Sequence, residues 1–101
     1  MSAKFTPGPW SFQKPQEISD CYGYFVIRAS DKSAVAEVLA EDMTDEANVH
    51  LIVAAPEMYE ALKVALMALT NEYYNKPRKG LEKEYEIVRS ALAKAEGKEA
   101  E

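Results

Sequence analysis

Few residues of this chain have the types and spacing that chemistry needs. His50 is its one histidine and Cys21 its one cysteine, and they stand too far apart to resemble a metal-ligand pair or a thiol–imidazole couple. The chain has four glycines and no glycine-rich phosphate loop. Carboxylate pairs such as Glu82 and Glu86 repeat at helical spacing on a solvated face, without the apolar pocket that raises a carboxyl pKa for acid–base work. His50 is therefore expected to be structural, with Asn48 satisfying a nearby backbone group. No catalytic, metal or cofactor constellation results, and the expectation is a protein that is not an enzyme and carries no cofactor.

Charge is distributed less evenly than the total suggests. The formal charge is −5. Residues 1–40 balance four Lys/Arg against four Asp/Glu, and residues 56–101 set eight against nine. The rest of the excess is Glu41, Asp42, Asp45 and Glu46, packed into one connection. Such a cluster disfavours tracking of nucleic-acid phosphates and favours a basic partner surface, whose association it would speed. As a local device it supplements a helix dipole. At the opposite pole Tyr73 and Tyr74 precede Lys76, Arg78 and Lys79. Aromatic and basic residues together suit stacking and phosphate contact, although such a stretch is more often an ordinary solvated loop. Trp10 is either a core plug or an exposed anchor for a partner.

The elements that must position these residues follow from periodicity. Thr6-Pro7-Gly8-Pro9-Trp10 is a stiff turn. Trp10 and Phe12 alternate with Ser11 and Gln13 as a short strand, and Tyr22 to Ala29 is the strongest strand signal. After the polar turn Ser30-Asp31-Lys32-Ser33, Ala34 to Leu39 returns with Ala36 and Val38 on one side and Val35, Glu37 and Leu39 on the other, forming an antiparallel hairpin. Thr44 is placed to cap a helix whose first turn holds Asp45 and Glu46. Near-continuous apolar residues from Ala47 to Ala55 predict burial over most of its circumference. Pro56 ends that helix and starts another, a kink being the alternative.

The second helix carries Tyr59, Leu62, Leu66, Leu69 and Tyr73, beside Met58, Ala61, Ala65 and Ala68. Asn75 to Gly80 breaks it, and Leu81, Tyr85, Val88 and Leu92 predict a third helix to about Lys94, antiparallel to the second. The fold class is α+β: a three-stranded antiparallel meander, a short buried helix and an antiparallel helical hairpin. Residues 1–95 are expected to make a single domain and 96–101 a disordered tail. No apolar run is long enough for a membrane span, and the lone cysteine suits a reducing cytoplasm.

Two segments together carry a family resemblance. They are Thr6-Pro7-Gly8-Pro9-Trp10, and Glu46-Ala47-Asn48 through Leu51-Ile52 into Ala54-Ala55-Pro56-Glu57-Met58-Tyr59-Glu60-Ala61-Leu62. The chain resembles a family of small tailed-phage and prophage proteins that open on a TPGPW-type turn and continue into an EANAxLIAAAPEMYEAL helix pair. Val49 and Val53 stand where that pattern has alanine. The resemblance spans about residues 6–70 and implies a phage accessory protein acting in the bacterial host cytoplasm. The expected role is a binding protein that inhibits a host factor, such as a CRISPR or other antiviral defence component, through Glu41, Asp42, Asp45, Glu46 and Trp10. Alternatives are an oligomeric sponge for a nucleotide-type signalling molecule, held by Tyr73, Tyr74, Arg78 and Lys79, and a structural or assembly accessory. Neither direct nucleic-acid binding nor a membrane partner is expected, and the broad apolar face of the second helix suggests a homodimer.

Overall fold

Period-two apolar alternation fills the first part of the chain and helical periodicity the remainder, so strands come first and helices second. The computed structural model describes residues 5–15, 23–41 and 43–98. Its order is β1 (Ser11–Gln13), β2 (Tyr24–Arg28), β3 (Ala34–Leu39), α1 (Met43–Val53), α2 (Ala55–Asn75) and α3 (Leu81–Ala95). This is the expected α+β arrangement. Contacts group the chain into two compact units, residues 1–57 and 58–101.

In the first unit the sheet order is β1-β2-β3, antiparallel throughout. Phe12 lies opposite Ile27, Ile27 opposite Ala36, and Phe25 opposite Val38, so these side chains share one face. Helix α1 packs on that face. Val49 is fully buried with Phe25 and Ile27, and Trp10, Phe12, Ile52 and Val53 close around them. Simple alternation places Val35 with Glu37 on the far face. Instead Arg28 pairs with Ala34 while Ile27 pairs with Ala36, which leaves Val35 as the extra residue of a bulge, turned toward the core. Strand β2 is shorter than expected, and Tyr22 lies outside the described residues.

Three expectations for α1 need correction. The helix starts at Met43, so Thr44 sits inside the first turn rather than capping it. Asp45 does terminal work instead: its Oδ2 accepts the Glu41 backbone N–H at 2.7 Å. Burial covers one side only, because a single small sheet offers α1 one face. Val49, Ile52 and Val53 point in, while Ala47, Asn48, His50 and Leu51 are exposed, Leu51 at 61%. At the far end the helix stops at Val53 and α2 begins at Ala55, so the break precedes Pro56, which occupies the first turn of the new helix.

The N-terminal turn meets that junction. A Cβ at Gly8 would lie 2.7 Å from Pro56 Cβ and 3.1 Å from its Cγ. Glycine is thus required at position 8 by space. Trp10 is half-buried against the core cluster, its Nε1 donates to the Thr6 carbonyl at 3.1 Å, and Phe5 meets its ring edge-on. It acts as the core plug.

In the second unit, Tyr59 donates a 2.6 Å hydrogen bond to Glu96, and Tyr73 stacks on Tyr85 with centroids 5.9 Å apart. The early part of α2 therefore meets the end of α3 and the late part meets its start, as an antiparallel hairpin requires. Gly80, at φ 86°, precedes α3. Residues 96–98, expected in a disordered tail, form a closed cap: Gly97, at φ 78°, and Lys98 donate to the Lys94 and Ala93 carbonyls. Residues 99–101 lie outside the described residues.

Candidate functional site

The acidic connection and the helical-hairpin tip are the two places where charge was expected to do work. At the first, the chain leaves β3 at Leu39 and enters α1 four residues later. Glu41 is exposed there, while Asp45 and Glu46 are half-buried. Asp45 is committed to the Glu41 backbone, so its carboxylate shapes the entrance. Glu46 Oε2 stands 3.9 Å from His50 Nε2, one helical turn on. Asp42 lies outside the described residues. The His50 ring meets Phe12 edge-on at 5.1 Å, which makes it a cover over the sheet edge. Asn48 is exposed.

Trp10 is half-buried and packs against the core cluster. The apolar residue that does project from this part of the chain is Leu51, on one exposed row with Thr44, Ala47 and Asn48. Composition hid it, because Leu51 sits inside a nearly continuous apolar run. The usable signal was spacing: Val49, Ile52 and Val53 define one face at helical period, and Leu51 is off it.

At the hairpin tip the residues meet, though in another arrangement than an anion cradle. Arg78 Nε lies 2.7 Å from Glu72 Oε2 and its Nη2 2.7 Å from Glu84 Oε1. The guanidinium is thus shared by two carboxylates. Hydrogen bonds to Glu84 and then Glu72 raise its pKa further, and the same bond from Arg78 holds the Glu84 carboxyl below its usual range. Tyr73 is occupied by Tyr85 on its face and Tyr74 at its edge. Tyr74 and Lys79 are exposed.

The broad α2 face also resolves differently from its sequence pattern. Leu62, Leu66 and Leu69 are half-buried, whereas Val64 at 66%, Met67 at 72% and Tyr74 at 77% are the apolar residues most open to solvent. Among the described residues, no helix is long and apolar enough to cross a membrane. No group of three or more His, Cys, Asp or Glu among them is placed to hold a metal ion.

A family model described as Salmonella phage P22 protein Y8K6 matches residues 1–99. No curated protein and no solved structure matches the chain.

Proposed function

The chain belongs to the family of Salmonella phage P22 protein Y8K6, and from that premise we propose that it is a non-enzymatic binding protein that occupies a basic surface on a bacterial host protein. The class of target is a host factor whose inhibition helps a phage, such as a CRISPR effector or another antiviral defence component, reached in the host cytoplasm. The observation that carries this reading is the exposed row Thr44, Ala47, Asn48 and Leu51 on α1, which follows directly on the connection that carries exposed Glu41. From Thr44 to Leu51 is seven residue steps, about 10 Å of helix at 1.5 Å per step. An apolar projection with carboxylates at one end suits a partner groove that is apolar at its centre and basic at its rim. The carboxylates would act mainly on association rate and the leucine on residence time. The two carboxylates on Arg78 weigh against a nucleotide sponge at the hairpin tip.

The test uses the intact chain as bait in bacterial lysate, with Glu41→Gln/Glu46→Gln and Leu51→Ser variants beside it. Asp45 is left in place because it bonds the Glu41 backbone. Wild type should retain a partner with a basic face and lose it steeply as salt rises. Each variant should remain folded by circular dichroism and retain less of that partner. Full retention by both variants rejects the reading. Self-association would draw on Val64, Met67 and Tyr74 rather than on the half-buried leucine stripe. Light scattering of wild type and Met67→Glu at high protein concentration checks it, a monomer in both cases ruling the dimer out.

A further inference from the structure

The β2–β3 turn stands at the other end of β3 from the acidic entrance. An open groove of about 560 Å³ lies there, lined by Ser11, Gln13, Arg28, Ala29, Ser30 and Lys32. The lining holds two cations, two hydroxyls and an amide, and no carboxylate. Arg28 is the oriented member. Its Nε donates to Gln13 Oε1 at 2.7 Å and its Nη1 to the Lys32 carbonyl at 3.0 Å, which fixes the guanidinium plane. Its Nη2 has no hydrogen-bond partner among the described residues, and the side chain is half-buried.

The turn that carries Lys32 is held just as firmly. Lys32 has φ 73°, in the left-handed region, and its N–H donates to the Ala29 carbonyl at 2.9 Å. The Ala29 N–H donates to the Ser33 carbonyl at 2.9 Å. Asp31 is not among the lining residues and is engaged by Ser33: its Oδ1 accepts the Ser33 hydroxyl at 2.6 Å and the Ser33 N–H at 3.0 Å. Glu37 shares the sheet face, in the row of Val26 and Gln13, and is not among the lining residues. The acidic entrance lies the length of β3 away, about 20 Å for six residues at 3.3 Å each. That exceeds the screening length of about 8 Å at physiological salt, so the acidic entrance contributes little to the field at the groove.

We propose that this groove binds a phosphate group, as free phosphate or as the monoester of a small phosphorylated molecule. Arg28 Nη2 and the Lys32 ammonium take phosphate oxygens, and the Ser11 and Ser30 hydroxyls donate to the others. A tetrahedral dianion matches several convergent donors better than a planar carboxylate does. The inference stands on different residues from the protein-binding reading, so Glu41→Gln/Glu46→Gln and Leu51→Ser should leave it unchanged.

The experiment is a two-dimensional NMR titration of the full chain at constant ionic strength with inorganic phosphate, adenosine monophosphate and adenosine. Saturable shifts at residues 11, 13 and 28–32 are expected with at least one phosphate-bearing probe and none with adenosine. Equal affinity for the two phosphate probes identifies free phosphate as sufficient, and tighter monophosphate binding identifies an ester. Lys32→Asn removes the charge while asparagine tolerates the left-handed backbone. It should weaken binding by about tenfold, the equivalent of about 1.4 kcal/mol. Arg28→Gln should weaken it more. Absence of saturation, shifts confined elsewhere, binding of adenosine as tight as its monophosphate, or unchanged affinity in a folded Lys32→Asn protein overturns the proposal.

Discussion

Adding one methyl group at Gly8 probes the meeting of the N-terminal turn with the helix junction. The new Cβ would stand 2.7 Å from Pro56 Cβ, whereas carbon atoms rest at about 3.5–4.0 Å. The turn and Pro56 must therefore separate by about 1 Å. Pro56 is buried and rigid, so neither atom is the end of a side chain that swings away. Overpacking of this kind costs about 1–3 kcal/mol. Replacing glycine by alanine also lowers the entropy of the unfolded chain, which returns about 0.4–1 kcal/mol. The net expectation for Gly8→Ala is a loss centred on about 1.3 kcal/mol and reaching at most about 2.6 kcal/mol. The chain has one tryptophan, Trp10, two residues away, so its fluorescence in a urea titration reports the unit that holds the contact. Pro56→Gly removes both contacting carbons and supplies the control. In that background Gly8→Ala should cost at least about 0.5 kcal/mol less, a coupling expected only of neighbours. A Gly8→Ala protein as stable as the parent, or the same cost with and without Pro56, would refute the reasoning.

Other consequences are accessible to the same methods. Trp10→Ala should destabilise by about 2–3 kcal/mol, below the full cost of a buried tryptophan because the ring is half-buried, and a loss under about 1 kcal/mol in calorimetry would contradict the core-plug role. Val49→Ala should cost about 2–3 kcal/mol because Val49 is fully buried. The Tyr59 hydroxyl, and after it Lys98, holds the Glu96 carboxyl below its usual range. Its contribution to stability is therefore present above about pH 4.5 and is lost as pH falls through the lower folded value. Tyr59→Phe should shrink that acid-side loss in denaturation curves across the acid range, and an unchanged profile would argue against the bond. Arg78→Ala should return the Glu84 carboxyl toward its ordinary pKa, read by NMR titration, while no change would mean that the ion pair does not persist in solution.

The amino-acid sequence by itself determined the succession of strands and helices, because apolar periodicity reflects backbone geometry within a few residues. Residues 24–28 and 34–39 alternate and are strands; Tyr59, Leu62, Leu66 and Leu69 repeat at helical spacing and lie on one helix. Pro56 forced a break for the same local reason, since it lacks the N–H that a continuous helix would bond to the Ile52 carbonyl. Val35 could not be placed this way, because its orientation depends on a bulge that arises only when β3 pairs with β2. The exposure of Leu51 depends on which side of α1 the sheet covers, and Arg78 is engaged only because the loop returns it between Glu72 and Glu84. Gly8 and Pro56 are distant in sequence, and no local pattern tells that one must be small because the other is near. Tertiary structure decided these contacts, since packing brings together residues whose separation along the chain carries no periodic signal.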